Sequence, residues 1–121
     1  TKVYRQVVFD SVNLKKDFNT SSSTTETLFD IILIPKNKQA FVNLDVFGVS
    51  DNNTFYGHYQ RQYYNQDGGT TYLDNGIMSH TVKNTGTFTE PTITFNNTPG
   101  VSLTTTISNG VSWYARANIK F

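Results

Sequence analysis

The sequence predicts an all-β fold, an antiparallel β-sandwich of jelly-roll-like type with about eight or nine strands. Thr, Val, Ile, Tyr and Phe dominate the segments between turns, and these residue types favour strands. Helix patterns are almost absent, while Gly, Asn and Pro mark turns at the short spacing of an all-β domain. The final segment "VSWYARANIKF" (111–121) alternates apolar and polar residues strictly, which indicates a strand with one buried face.

The first half of the chain contains four predicted strands, at 2–9, 27–34, 39–50 and 55–66. Residues 27–34 form a near-continuous apolar run, which indicates burial on both faces. Val42, Leu44 and Val46 alternate with polar residues, so we expect them in the core. Residues 10–26 show no clean period and end in a Ser/Thr tract, which predicts an arm or a long loop. Turns are expected at 35–38 and 51–54.

The second half is predicted to contain shorter strands, at 70–76, 77–84, 92–95, 101–107 and 111–121. The segment "DGG" (67–69) indicates a hairpin turn before the first of them. Asn75-Gly76 predicts a further turn, and Asn109-Gly110 leads into the closing strand. On that strand we place Trp113, the only tryptophan, and Ile119 in the core.

The composition limits the classes of function. At 121 residues the chain has the size of one domain, and we expect a single β-sandwich domain over 1–121. It has no cysteine, so no disulfide or thiolate metal site can form. Ten basic and nine acidic residues give a net charge of +1, too little for a nucleic-acid or membrane-surface footprint. No apolar run reaches the roughly 18 residues that span a bilayer. We therefore expect neither nucleic acid nor a membrane as a partner.

Patterns that carry catalysis or bind metals are missing. His58 and His80 lie far apart, and no metal-ligand spacing such as HExxH occurs. The carboxylates lie mostly at turns without the arrangement of a glycosidase pair, and no serine lies in a GxSxG elbow. We expect no enzyme activity, no catalytic or metal-binding residue and no cofactor.

The aromatic strand at 55–66 provides the candidate contact residues. Neither of its faces is cleanly apolar, because Tyr, His and Gln occur on one face and Tyr and Arg on the other. Such a strand suits a protein interface or the stacking of sugar rings. The alternative is a core face of Phe55, Tyr59 and Tyr63 beside an exposed polar edge. The candidate interface or ligand-contact residues are Tyr56, His58, Tyr59, Arg61, Tyr63 and Tyr64.

From Thr27 to Phe121 the order of features resembles a module common in tailed-bacteriophage virion proteins. The features are "TLFDI", the turn "PKNK", "FVNLDVFGVS", "YGHYQRQY", "DGG", "VSLTTTI" and the final strand "VSWYARANIKF". The chain departs from the pattern in having a single Arg61 where two arginines are usual, and in its first segment, which does not match. The resemblance implies a β-sandwich that acts in a virion as a structural or attachment module, usually as a trimer. It transfers no catalytic residue.

We therefore expect a phage virion structural protein, first of all a capsid decoration (cement) protein that stabilises the assembled shell as a trimer. The chain reads as one complete domain without shaft repeats or coiled-coil heptads, which favours the capsid surface over the tail. Expected partners are further copies of the chain, as a homotrimer, and the major capsid protein or other virion proteins. Two alternatives stay open. One is a tail-fibre or receptor-binding head that recognises a host surface polysaccharide, and the other is a cellular carbohydrate-binding module.

Overall fold

Eight strands in two antiparallel sheets form the fold, so the predicted antiparallel β-sandwich is confirmed. The structure is a computed structural model that describes residues 11–29, 34, 36–66, 68, 73–85, 88–96, 100–105 and 110–121. The strands are β1 (Ser11–Thr20), β2 (Thr24–Phe29), β3 (Lys38–Ser50), β4 (Asn53–Asn65), β5 (Leu73–Asn84), β6 (Thr92–Asn96), β7 (Gly100–Thr105) and β8 (Val111–Lys120). Within the described ranges, no helix is long and apolar enough to cross a membrane.

The larger sheet has the strand order β1-β8-β3-β4-β5, and the smaller sheet has the order β2-β7-β6. The nested pairs β1–β8 and β2–β7 follow the pairing of a jelly roll, whereas β3, β4 and β5 run on as a meander. β8 is therefore an interior strand of the larger sheet, hydrogen-bonded to β1 on one side and to β3 on the other.

The core lies between the two sheets and follows the two-residue period of the strands. The core positions predicted from the sequence are all buried, with exposures of 2% or less: Val42, Leu44, Val46, Trp113 and Ile119. From the smaller sheet, Leu28, Phe95 and Leu103 close the core on the opposite side. Full burial of such a side chain contributes roughly 1.5–3 kcal/mol to stability.

Trp113 is the centre of the aromatic part of this core. Its ring stacks on Phe18 at 6.2 Å and meets the Phe88 ring edge-on at 5.7 Å. Its Nε1–H donates a hydrogen bond to the buried Thr20 hydroxyl at 2.9 Å, which satisfies the only polar atom of the indole. Opposite the ring, a Cβ at Gly48 would lie 2.7 Å from an indole carbon. A glycine is therefore required there for the ring to lie against β3.

The prediction of an arm or long loop over 10–26 is wrong, because β1 and the start of β2 occupy most of it. The two-residue period of β1 is hidden because Lys16 occupies an inward position among apolar residues. Its ammonium group donates hydrogen bonds to the Glu26 carboxylate at 2.8 Å and to the Thr27 carbonyl at 2.5 Å, both on the facing sheet. An inward-pointing charge of this kind also protects an edge strand from pairing with another sheet.

The predicted turn at Asn75-Gly76 is also wrong, because β5 runs unbroken from Leu73 to Asn84. The register of β5 against β4 shifts twice, between Gln60 and Arg61 and between Arg61 and Tyr63. The Asn-Gly pair therefore lies in an irregular part of the strand, where its conformational freedom suits a bulge as well as a turn. The predicted strand at 2–9, most of 30–35 and the "DGG" turn as a whole lie outside the described residues.

We predict that Trp113→Ala lowers the free energy of unfolding by about 3–5 kcal/mol, because it leaves a large cavity between the sheets. Denaturation followed by far-UV circular dichroism measures this, since the variant has no tryptophan fluorescence. Trp113→Phe is the matched control and should lose less, because it keeps an aromatic ring between Phe18 and Phe88. A near-neutral Trp113→Ala would contradict the central position of this ring.

Candidate functional site

The outer face of the larger sheet, which points away from the smaller sheet, is the candidate site. None of the described outer-face side chains of β1, β3, β4 and β8 is buried. The strand register aligns them in rows that run across the strands. We name three rows: the aromatic row Tyr114, Phe47 and Tyr56; the charged row Lys15, Arg116, Asp45 and His58; and the amide row Asn13, Asn118, Asn43 and Gln60.

In the aromatic row, Phe47 lies between two tyrosines. The centroid of its ring is 4.9 Å from that of Tyr56 and 5.9 Å from that of Tyr114. The guanidinium carbon of Arg116 lies 5.6 Å from the Phe47 centroid and joins this row to the charged row. Aromatic pairs at these distances stabilise one another by about 0.5–1.5 kcal/mol, so the three rings form a fixed platform.

The charged row is organised around the Asp45 carboxylate. Oδ1 accepts hydrogen bonds from the Tyr56 hydroxyl at 2.8 Å and from His58 Nδ1 at 2.7 Å, and Oδ2 accepts one from Arg116 Nε at 3.1 Å. Burial raises the pKa of Asp45, but the hydrogen bonds from His58, Tyr56 and Arg116 outweigh burial and hold that pKa below its ordinary value. The Asp45 carboxylate therefore orients the side chains of Tyr56, His58 and Arg116.

The amide row pairs neighbouring strands through side-chain hydrogen bonds. Asn118 Nδ2 donates to Asn13 Oδ1 at 2.8 Å, and Gln60 Nε2 donates to Asn43 Oδ1 at 2.7 Å. A primary amide has two N–H donors and a carbonyl with two acceptor sites, so each pair leaves further groups for hydrogen bonds with a ligand. The two pairs therefore fix the positions of the amides and use only part of their hydrogen-bonding capacity.

Two shallow depressions adjoin the amide row, and Asn43 lines both. One has a volume of about 470 Å³ and is lined by polar groups that include Asn13, Lys15, Arg116 and Asn118. The other, of about 280 Å³, is lined by Phe41, Gln60 and Lys120. Together they follow the amide row across four strands, which is roughly 14 Å at the usual strand spacing.

The six candidate contact residues fall on opposite sides of the larger sheet. Tyr56, His58 and Tyr64 belong to the outer face. Tyr59 and Tyr63 are 2% and 1% exposed and lie in the core, so their assignment as contact residues is corrected. The strand thus has the core arrangement considered as the alternative above, in which Phe55, Tyr59 and Tyr63 share the buried face.

Arg61 also lies on the inward side of β4, where it is half-buried. Its guanidinium carbon lies 5.1 Å from the centroid of the Phe95 ring on the smaller sheet. Its position is explained by packing between the sheets, so it is not part of the outer face.

Several outer-face residues were not among the sequence-based candidates, notably Phe47, Tyr114, Asp45, Arg116 and the whole amide row. The available signal was the alternation of β3 and β8, which separates one apolar set from one mixed set. That signal identifies the outward residues of each strand. It does not show which outward residues of different strands lie side by side, because contacting residues such as Asp45 and Arg116 are 71 residues apart in sequence.

No known protein family and no curated protein matches the chain. The structure is similar to part of the tailspike protein of Acinetobacter baumannii phage AM24, with a TM-score of 0.55 and 10% sequence identity over 99% of this chain. The chain spans 27% of the length of that tailspike. A second similar structure is the tailspike protein of Acinetobacter phage vB_ApiP_P1, with a TM-score of 0.46, 10% identity and coverage of 88% of this chain and 22% of that one. At 10% identity, the similarity to the first of these structures shows a shared fold alone.

We predict that Tyr59→Phe leaves the free energy of unfolding unchanged or raises it by about 1 kcal/mol. The Tyr59 hydroxyl is buried without a hydrogen-bond partner among the described residues, so its removal relieves an uncompensated desolvation. Tyr63→Phe is the matched control, because the Tyr63 hydroxyl donates to the Asn96 carbonyl at 2.9 Å. Tyr63→Phe should cost about 0.5–1.5 kcal/mol. Equal losses in the two variants on urea denaturation would contradict this assignment.

We predict that Asp45→Asn lowers the free energy of unfolding at neutral pH and weakens its dependence on pH in acid. The pKa of Asp45 is lowered on folding, so its stabilising effect is present above its unfolded pKa of about 3.9. The effect is lost as the pH falls through the lower folded-state pKa. Urea denaturation between about pH 7 and pH 2 measures the change. Asp17→Asn, which removes a carboxylate from an exposed outer-face position, is the control for the loss of one negative charge. An unchanged acid slope in Asp45→Asn would refute the role of the network.

Proposed function

We propose that this chain is a binding module of a tailed-phage virion, that it belongs to the tail, and that it recognises a host surface polysaccharide through the outer face. The observation that carries the proposal is the platform built by the aromatic, charged and amide rows. Its side chains are held in fixed positions by hydrogen bonds and ring contacts with one another, so little conformational entropy is lost when a ligand binds.

The chemistry of the platform suits a saccharide. The half-buried aromatic rings of the platform provide flat apolar surface for the apolar face of a sugar ring, and the amides provide donors and acceptors for hydroxyl groups. The depressions beside the amide row are shallow and open, which suits a chain that lies along the surface. Exposed Phe41, at 43%, adds apolar contact area at one end.

The similarity to part of a phage tailspike supports the tail as the location. Capsid decoration, a homotrimer and contacts with the major capsid protein stay predictions. The same holds for the cellular carbohydrate-binding module.

In this proposal the module binds and does not catalyse. The Asp45 carboxylate, the one acidic group in the charged row, already accepts hydrogen bonds from three neighbours, which disfavours a role in proton transfer. Among the described residues, no group of three or more His, Cys, Asp or Glu side chains is arranged to hold a metal ion.

We predict that Phe47→Ala weakens binding to host polysaccharide by at least about tenfold, because it removes the central ring of the platform. The assay is binding of the labelled protein to a panel of intact bacteria and to their purified surface polysaccharides. Thr25→Ala, on the smaller sheet, is the control and should bind as the unchanged chain does.

Other outcomes would favour the other predicted roles. Binding to phage capsids in the absence of any binding to cells would contradict the proposal and favour decoration. If Phe47→Ala instead dissociated an oligomer in sedimentation analysis, the outer face would be a subunit interface.

A further inference from the structure

Positive charge predominates on the outer face. Its described residues include four basic side chains, Lys15, Lys83, Arg116 and Lys120, and two acidic ones, Asp17 and Asp45. The difference is a net charge of +2 on one face of a chain whose total is +1.

The cations nearest the amide row lie on both of its sides. Lys15 and Arg116 are in the charged row, and Lys120 lies two residues beyond Asn118 on β8, in register with Phe41. Lys15 and Lys120 are exposed and form no ion pair within the described ranges, and the Arg116 side chain is 55% exposed beyond its contact with Asp45. Rows on one face of a strand are about 6.6–7 Å apart, so roughly 13 Å separates the two groups of cations.

The two depressions connect these cations to the amides. The charged residues that line the larger are Lys15, Arg116 and Asp45, the smaller is lined by Lys120, and Asn43 belongs to both. A ligand lying along the amide row would therefore meet hydrogen-bonding amides throughout and a cation at either side. Lysines without an ion partner in the described part of the chain, placed beside such a row, match a ligand whose own substituents are anionic.

We propose that the ligand of the outer face is an acidic saccharide, in which carboxylate groups on the sugar rings meet Lys15, Arg116 and Lys120 while hydroxyl groups meet the amide row. This inference rests on the proposed function and adds the chemical class of the ligand. A neutral saccharide would leave Lys15 and Lys120 without a role. A nucleic acid is disfavoured, because the total charge of +1 is small for a phosphate-binding surface.

The experiment compares two probes that differ in charge, trigalacturonate and its trimethyl ester. Backbone amide resonances of the ¹⁵N-labelled chain are followed by NMR during titration with each probe, at low and at moderate salt. We expect trigalacturonate to shift the resonances of Asn13, Asn43, Gln60 and Asn118. Its dissociation constant should be about fivefold to tenfold lower than that of the ester, and the difference should shrink as salt is added.

Variants test the position of the charges. Lys15→Gln and Lys120→Gln are each expected to weaken trigalacturonate binding about threefold and to leave binding of the ester unchanged. Lys83→Gln is the control. Lys83 lies on the same face, but on the edge strand β5, in register with Tyr56 of the aromatic row. An equal loss in Lys83→Gln would indicate a diffuse electrostatic attraction and would overturn the inference.

Three further results would also overturn it. Equal affinity for acid and ester would exclude the acidic class, while binding to cells that depends on Phe47 would still support the proposed function. Shifts confined to other surfaces, or no shifts with either probe, would exclude this face as the site for an acidic sugar. Tighter binding of a short oligothymidylate at the same residues would assign the cations to phosphates instead.

Discussion

The pairing of β8 with two neighbours at once is the constraint on which the remaining structure depends. β8 is hydrogen-bonded along its length to β1 and to β3, so its register determines which residues of all three strands lie opposite one another. The inward set gives the apolar core around Trp113, and the outward set gives the rows of the outer face. A slip of one residue would exchange the two sets, and the buried tryptophan opposes such a slip.

The sequence allowed correct prediction of the elements whose two faces differ clearly in polarity. In β8, and in β3 from Val42 to Val46, apolar and polar positions alternate, and both strands were placed within a residue or two. β1 was missed because Lys16 points inward, and its stabilising partners, Glu26 and Thr27, lie on the other sheet. Ion pairs between sheets leave no periodic signal in the sequence, so a charged inward residue looks like a break in the pattern.

The candidate site was predicted only in part, for a related reason. On β4 both faces carry tyrosines, so polarity alone could not show that Tyr59 faces the core and Tyr56 faces outward. The deciding contacts are across strands: Tyr63 reaches the Asn96 carbonyl, and Tyr56 reaches Asp45. Register between strands is a property of the folded sheet, and the order of residues along one strand does not contain it.

The separation of inward from outward positions allows the sequence of the outer face to evolve separately from that of the core. Outward residues such as Asn43 and Asn118 contribute little to the apolar core, so they can be exchanged with small effects on stability. The inward residues, and Gly48 opposite the indole, permit few alternatives. A lineage could therefore alter the chemistry of the outer face, step by step, while the framework that presents it stays the same.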